Sequence, residues 1–371
     1  GWVGASGVRG RGGAARGDAE GEAGPRVGGG DTVAGAAQAA AAAALNTAVT
    51  LEELEKALER CKAGTAPGED GLPYEVYQHL PAEAKAWLAE VYSGVMRTHS
   101  APEVWKKGIV GMLHKKGPTS ECANYRGITL LDTSGKVFER VLLGRLSKYV
   151  ETYGLVHENQ NGFREGRSCE EHVFALQQVL DANKDCVAVF VDVRKAYPPV
   201  FRDGLFAKLA QKGIGGDMWA TLRDMYTGLR SAVKVGSEMS SEYAVEQGLM
   251  EWAILSPFLY TIFIGGLARV LEAEGLGCRI GGKADGAWGG ALYYADDLCL
   301  LAKSGEEMQR MLRVLDEYCR DWQFQPAYSK TKVLRFGACK QETEELYLPS
   351  MHHEAKPGAP PVVVDGGAGT D

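Results

Sequence analysis

Residues 292–301 read Leu-Tyr-Tyr-Ala-Asp-Asp-Leu-Cys-Leu-Leu and place two adjacent carboxylates, Asp296 and Asp297, inside an apolar run. The apolar residues on each side predict two buried strands, with the acids at the tight turn between them. Two neighbouring anions in that position repel each other and are poorly solvated. A cation would stabilise them, and for hard oxygen ligands the usual cation is Mg²⁺ or Mn²⁺. The alternative interpretation is that Asp is simply a good turn residue.

A second apolar segment carries a third carboxylate. Residues 187–193 are nearly all apolar and mostly Val, with Asp192 as the interruption, so they are predicted to form a strand buried on both faces. If this strand and the acidic hairpin are neighbours in one sheet, the three carboxylates form a cluster fit to hold two divalent cations. Two such ions can activate an attacking oxygen and stabilise a leaving oxygen on phosphorus, as in polymerases and nucleases.

Chemistry on phosphates also requires cationic side chains. Two lysine pairs, at residues 106–107 and 115–116, flank a predicted strand at residues 109–113, and Arg126 follows shortly afterwards. Residues 160–168 interleave Arg164 and Arg167 with an aromatic residue and two glycines, a composition suited to close approach of the backbone to phosphates. The alternatives are solvated strand ends for the lysines and a solvated loop for the second segment.

The composition is that of a folded globular protein. The chain has 371 residues, of which 45% are hydrophobic and 24% charged, with a net charge of −7, so it can bury one large core or two modest ones. Its eight cysteines are scattered without the short spacing of a zinc site. No apolar run is long enough to span a bilayer, and no secretory signal is recognisable. We therefore expect an intracellular protein.

The order of the elements predicts an α+β fold. Residues 1–47 are rich in Gly and Ala and are expected to be disordered, as is the tail at residues 337–371. Capping boxes at Thr50 and Ser304 begin two amphipathic helices. Strands that alternate with helices, with the acidic hairpin central, predict an antiparallel or mixed sheet covered by helices on one side.

Taken together, these segments resemble a known family. The motifs Phe-Val-Asp at residues 190–192, Lys-Ala-Tyr at residues 195–197 and Tyr-Ala-Asp-Asp at residues 294–297 are similar to those of the reverse transcriptases of LINE-type non-LTR retrotransposons. The resemblance covers roughly residues 50–336, in order and at family-like spacing. It implies a right-hand polymerase, with fingers at residues 48–186 and, at residues 187–336, a palm whose antiparallel sheet is backed by helices.

The resemblance also implies an activity and its partners. The expected function is RNA-directed DNA polymerase, using an RNA template, a DNA primer, deoxynucleoside triphosphates and two Mg²⁺ or Mn²⁺ ions, in the nucleus. The oligomeric state stays open. We expect the thumb to be largely missing and no endonuclease domain to precede the fingers, as in a truncated or decayed copy.

By the same resemblance, each candidate residue has a role. Asp192, Asp296 and Asp297 would hold the metals with help from the carbonyl of Val193, and Lys330 would be a proton donor near the pyrophosphate. The side chains that would grip the triphosphate are Lys115, Lys116 and Arg126. Tyr197 would be the steric gate that excludes a ribose 2′-hydroxyl. The residues expected to bind template and primer are Gln160, Gly162, Arg164, Arg167, Ser256 and Pro257. A core aromatic residue and a solvated strand-edge lysine are the alternatives for Tyr197 and Lys330.

The chain departs from the family pattern at several positions. Spacing places Glu251 and Trp252 where the family has Gln-Gly, so we expect the indole to obstruct the nucleotide and the carboxylate to repel its phosphates. Gln247 and Gly248 could supply the function only after a local insertion. The acidic residue expected after the steric gate is Pro198, and the asparagine expected three residues before Lys330 is Ala327.

We therefore predict low or absent polymerase activity. A second class of function is a catalytically inactive nucleic-acid-binding remnant, which keeps the basic side chains but does no chemistry. RNA-templated RNA synthesis is disfavoured by Tyr197 and by Ala295, which stands where glycine is expected before the aspartates.

Overall fold

The structure is a computed structural model that describes residues 31–281, 286–327, 330–341 and 346. The α-helices are α1 (Asp31–Ala44), α2 (Leu51–Glu59), α3 (Tyr74–Gln78), α4 (Ala82–Thr98), α5 (Thr133–Thr152), α6 (Cys169–Ala182), α7 (Arg202–Gln211), α8 (Gly216–Met225), α9 (Ser256–Ile264), α10 (Gly266–Ala273) and α11 (Gly305–Asp321). The strands are β1 (Lys107–His114), β2 (Tyr125–Leu131), β3 (Cys186–Asp192), β4 (Arg230–Val235), β5 (Glu238–Met239), β6 (Tyr243–Ala244), β7 (Ala291–Tyr294), β8 (Asp297–Ala302) and β9 (Lys332–Phe336). The fold is thus a mixture of helices with antiparallel and mixed sheets.

The first sheet has the strand order β2-β1-β4-β5, with β6 paired to β4. Strand β1 is antiparallel to β2 and parallel to β4, and β4 is antiparallel to β6. The sheet therefore joins β1 and β2 to a strand more than 90 residues further along the chain. The first sheet thus contains strands from both sides of the predicted boundary between fingers and palm at residues 186/187. The division into fingers and palm stays a prediction.

The second sheet is antiparallel, with the order β7-β8-β3-β9. Strand β3 lies in its interior, and Cys186, Val187, Ala188 and Val189 are fully buried. This confirms the strand buried on both faces that the run of valines predicts. Because β3 and β8 are neighbours, the strand that ends at Asp192 lies beside the acidic hairpin.

Helices cover both faces of the second sheet. Val187 and Val189 belong to the main core with residues of α9 and α11, whereas Cys186 and Ala188 form a smaller cluster with Val179 of α6. The expectation of helices on one side was therefore wrong, because α6 packs against β7 and covers part of the opposite face. The apolar residues at the other end of that face, Phe190 and Leu334, stay partly exposed.

The two predicted terminal segments are also partly ordered. Helix α1 lies within the segment expected to be disordered, and Leu45 and Val49 after it are buried. The guanidinium of Arg145 donates hydrogen bonds to the carbonyls of Leu45, Thr47 and Ala48, a partner that the local sequence could not reveal. Residues 337–341 form a 3₁₀ helix, so the tail prediction was wrong there. Residues 1–30 and most of those beyond 341 lie outside the described part.

Local capping signals correctly placed the starts of two helices. Thr50 accepts from the amide of Glu53, whose carboxylate accepts from the amide of Thr50, which is the predicted capping box. Ser304 caps α11, but Glu307 turns its carboxylate to the amides of Lys303 and Gly277 instead of completing a box. Throughout the described residues, no helix combines the length and the apolar character that crossing a membrane requires.

Candidate active site

The hairpin of β7 and β8 presents the paired carboxylates at a two-residue turn. Tyr294 pairs with Asp297, and Ala295 and Asp296 form the turn between them. Ala295 has a φ of 61°, which is the left-handed conformation that two-residue hairpins require and that usually selects glycine. We call residues 294–297 the carboxylate turn.

The sheet register brings the third carboxylate to this turn. Asp192, the last residue of β3, pairs directly with Asp297, the first residue of β8. Residues paired across antiparallel strands have neighbouring side chains on the same face. Asp192 is thus placed beside the carboxylate turn, as the sequence hypothesis requires.

The three acids affect one another electrostatically. Burial raises the pKa of Asp296, and the nearby charge of Asp192 raises it further, against the opposing charges of Arg126 and Lys330. The pKa of Asp297 is raised by burial and then by the charges of Asp296 and Asp192. Both shifts mean that the folded protein disfavours the ionised carboxylates, so a cation bound here would relieve the cost.

A lysine already partly offsets this charge. The Lys330 ammonium donates a hydrogen bond to a carboxylate oxygen of Asp192, which raises the lysine pKa. The Asp192 carbonyl accepts from the amide of Ala327 at 2.6 Å, and Val193 bridges to Pro326. Residues 326 and 327 are thereby held against the end of β3. Within the described residues, no group of three or more His, Cys, Asp or Glu side chains is arranged so that it could hold a metal ion.

Tyr197 and Arg126 lie near the acids. The Tyr197 ring is half-buried and lies 5.4 Å from the ring of Tyr260. Burial raises the pKa of Tyr197 to about 12, with contributions from the charges of Asp296 and Glu251 and an opposing one from Arg126. Arg126 is on β2, in the first sheet, whereas the three acids are in the second sheet. The candidate site is therefore formed by residues of both sheets. Lys115 and Lys116 are exposed just beyond the end of β1.

The segment at residues 247–255, which we call the tryptophan loop, contains the departures from the family pattern. Trp252 has a φ of 72° and is 54% exposed, with the Arg126 guanidinium carbon 5.8 Å from its ring centroid. A φ of this sign favours glycine and is strained for a bulky residue. The backbone thus has a glycine-type conformation at the position where the family pattern predicts glycine.

Both ends of the tryptophan loop are anchored. Gly248 has a φ of 84°, and a Cβ there would lie 2.3 Å from the carbonyl oxygen of Pro198. The side-chain nitrogen of Gln247 donates to the carbonyl of Pro199. Gln247 and Gly248 therefore dock on the segment after Tyr197 and do not replace Glu251 and Trp252. At the other end, the carboxylate of Glu139 accepts from the amide of Leu255 at 3.0 Å.

Three of the six residues predicted to contact template and primer are buried. Gln160 and Ser256 are fully buried and Gly162 is buried, so none of them presents a surface to a template. The Ser256 hydroxyl donates to the carbonyl of Met250, and the Gln160 side chain bonds the backbone of the carboxylate turn. Sequence interpretation missed this role because the partners lie 135 residues apart.

The remaining candidates are more accessible or already paired. The Arg164 guanidinium is buried and forms a two-bond contact with Glu151, so it is not available to a phosphate as predicted. Arg167 pairs with Glu158 and is partly exposed, and Pro257 is half-buried at the start of α9. Template binding by Arg167 and Pro257 stays a prediction.

Comparison with known proteins agrees with this geometry. The model of the family described as reverse transcriptase (RNA-dependent DNA polymerase) matches residues 113–353, which is more than half of the chain. The chain belongs to the reverse transcriptase family.

Its relatives are retrotransposon polymerases. The chain is 28% identical over 307 residues to the probable RNA-directed DNA polymerase from transposon X-element of Drosophila melanogaster, covering 80% of this chain and 32% of the relative. It is 29% identical to that from transposon BS of the same organism, covering 74% and 30%. It is 27% identical to the RNA-directed DNA polymerase from mobile element jockey, covering 83% and 34%. This reverse transcriptase domain is thus of the LINE-type non-LTR class, and the chain spans about a third of the length of these relatives.

Proposed function

We propose that this reverse transcriptase chain is a polymerase core that adds deoxynucleotides to a DNA primer on an RNA template. The observation that supports the proposal most directly is the pairing of Asp192 with Asp297 beside Asp296. Three carboxylates at the ends of adjacent buried strands have little structural value, because burial and repulsion raise the pKa of two of them. A catalytic use accounts for that cost.

The acids suit a divalent cation in chemistry and charge, but within the described residues they are not already arranged to hold one, so the proposal requires their side chains to converge. Carboxylate oxygens are the ligands that Mg²⁺ and Mn²⁺ prefer, and reverse transcriptases generally depend on such a metal. We propose that Asp192, Asp296 and Asp297 hold two ions, assisted by the carbonyl of Val193, after the Lys330 ammonium leaves Asp192. When bound, such ions would activate the primer hydroxyl and stabilise the leaving oxygen.

The surrounding side chains have separate tasks in this proposal. Arg126, whose charge acts on Asp296, would bind the triphosphate with Lys115 and Lys116. The Tyr197 ring would pack under the sugar and exclude a 2′-hydroxyl, since it is held against Tyr260. Lys330, once released from Asp192, would donate a proton to the leaving pyrophosphate.

The tryptophan loop is expected to impair this chemistry. The Trp252 indole lies over Arg126, the side chain proposed to bind phosphates. The Glu251 charge acts on Tyr197 and adds a further anion to the region that must receive a triphosphate. These contacts also favour the second candidate function, a catalytically inactive remnant that still binds nucleic acid.

Primer extension separates the two candidates. The wild-type chain and Asp296→Ala would be compared with Mg²⁺, an RNA template, a DNA primer and either deoxynucleotides or ribonucleotides, with RNA binding measured on the same samples. We expect slow deoxynucleotide extension that falls by about 100-fold or more in the variant, with RNA binding retained. RNA binding without extension by the wild type favours the remnant, and loss of both contradicts both candidates.

A further inference from the structure

Residues 159–162 form a short strap along the outer edge of β7. The amide of Tyr293 donates to the carbonyl of Asn159 at 2.9 Å, and the amide of Asn161 donates to the carbonyl of Tyr293 at 3.0 Å. The Asn159 side chain donates to the carbonyls of Trp288 and Ala291. Gln160 and Tyr293 form a parallel bridge. The strap therefore adds backbone pairing to β7 on the side opposite β8.

Gln160 connects the strap to the carboxylate turn. Its side-chain oxygen accepts from the amides of Gly162 at 2.8 Å and Ala295 at 3.1 Å, and its nitrogen donates to the Ala295 carbonyl at 3.4 Å. A buried amide without a partner is costly, so these contacts favour a single position of the turn backbone. Gln160 thus bonds both the donor and the acceptor of the residue that precedes Asp296.

Gly162 allows the strap to approach this closely. A Cβ at residue 162 would lie 2.1 Å from the amide nitrogen of Ala295. That separation is far below any real contact, and the neighbouring atom is backbone rather than a flexible side chain. A side chain at residue 162 would therefore push the strap away from the turn.

From these contacts we infer that Gln160 is a positioning residue, which holds Ala295 in its left-handed conformation and thereby fixes where the Asp296 carboxylate points. The inference rests on the proposed use of Asp296 as a metal ligand. Gln160 touches neither the metal nor the nucleotide in this assignment. It acts through the backbone of one residue, as groups that orient a ligand do in metal sites.

The test is Gln160→Met, which keeps the length of the side chain but removes its hydrogen bonds. We expect amide hydrogen exchange at residues 293–297 to be accelerated at least about tenfold, with exchange in β3 unchanged. Mn²⁺, measured by paramagnetic resonance, should bind about 10-fold to 100-fold more weakly. Adding Ala295→Gly to Gln160→Met should partly restore both the slow amide exchange and the Mn²⁺ affinity, because glycine adopts the turn conformation without support. A purely structural role would not give this rescue.

Gln78→Met is the matched control. Gln78 is a partly buried glutamine that donates to the carbonyls of Leu58 and Cys61, away from the acids, so its variant should change neither measurement. Should Gln160→Met not fold, Gln160→Asn shortens the side chain by one methylene and should show the same changes at smaller size. Wild-type exchange and Mn²⁺ affinity in the Gln160 variants would overturn the inference. If the wild type binds no Mn²⁺, the proposed function fails, whereas exchange at residues 293–297 still decides the role of Gln160.

Discussion

The carboxylate turn and the tryptophan loop both contain a left-handed backbone conformation, but the residues that adopt it differ in size, burial and hydrogen bonding. Each has a non-glycine residue with positive φ, 61° at Ala295 and 72° at Trp252. At the turn the residue carries only a methyl group, is buried, and has both backbone polar groups bonded by Gln160. In the loop it carries the largest side chain, which is half exposed over Arg126.

This difference indicates which part of the site departs from the expected family pattern. The turn has kept its acids, its register with β3 and its buried support, whereas the loop has a bulky residue in a conformation suited to glycine. In the function that we propose, the metal ligands would be in place while the approach of the nucleotide is obstructed. The deficit that we expect therefore lies in nucleotide approach and not in the carboxylate cluster.

The largest effect should come from restoring glycine in the loop. Trp252→Gly removes the indole from Arg126 and suits the left-handed backbone, which costs a side-chain-bearing residue about 1–2 kcal/mol. We expect primer extension on RNA to become about tenfold to 100-fold faster, the effect typical of correcting a misplaced substrate. Single-nucleotide incorporation measures it.

Trp252→Ala is the matched variant for this test. It also removes the indole but keeps the strained conformation, so it should recover part of the activity while being less stable than Trp252→Gly. If neither variant extends a primer faster than the wild type, the indole is not the obstruction, and the comparison between the turn and the loop loses its functional meaning.

Local patterns predicted much of this architecture. The buried strand at residues 187–193, the acidic hairpin and the cap at Thr50 each have a signal within a few residues, either an apolar period or a capping pair. The sequence also marked Trp252 as standing where glycine belongs. In each case the residues that determine the local structure are close together in the sequence, so a local pattern predicts it.

The features that were missed depend on distant partners. Helix α1 lacks large apolar residues, and the Arg145 guanidinium holds the backbone that follows it. Gln160 was predicted from the family resemblance to contact the template, yet its partner is Ala295. Arg164 was predicted to lie close to phosphates, yet its buried guanidinium is paired with Glu151. Composition cannot distinguish a surface arginine from one that is buried and paired.

The anchors of the two regions should differ in their response to pH. Burial raises the pKa of Glu139, which holds the end of the tryptophan loop, from 4.5 to about 7, whereas Gln160 does not titrate. Because the folded pKa is the higher one, the contribution of Glu139 to stability is full below pH 4.5 and is lost as pH rises through about 7. Glu139→Gln should reduce the fall in the free energy of unfolding over that range by about 1–2 kcal/mol. Urea unfolding at several pH values measures it.

A carboxylate with the opposite shift is the control for this experiment. The Arg164 guanidinium lowers the pKa of Glu151, so the contribution of Glu151 is present above its unfolded pKa and is lost as pH falls. Glu151→Gln should leave the fall between pH 4.5 and 7 intact. If Glu139→Gln leaves the pH profile unchanged, Glu139 does not titrate over this range. The anchors of the loop and the turn would then not differ in their response to pH.

The smallest effect concerns the charge of the turn itself. Burial and Asp192 raise the pKa of Asp296, so its stabilising contribution is present below the unfolded pKa and absent at pH 7, where the folded protein bears the full repulsion. Without divalent metal, Asp296→Asn should raise the Tm by about 1–3 °C. Added Mn²⁺ should then stabilise the wild type more than the variant, since only the wild type keeps the full ligand set.

A carboxylate in a favourable ion pair should behave in the opposite way. Lys56 lowers the pKa of Glu52, so Glu52→Gln removes an attraction and should not raise the Tm. If Asp296→Asn also fails to raise the Tm in metal-free buffer, the acids are not under mutual repulsion. The carboxylate turn would then have no unmet need for a cation, and its intact appearance beside the altered tryptophan loop would reflect strand packing alone.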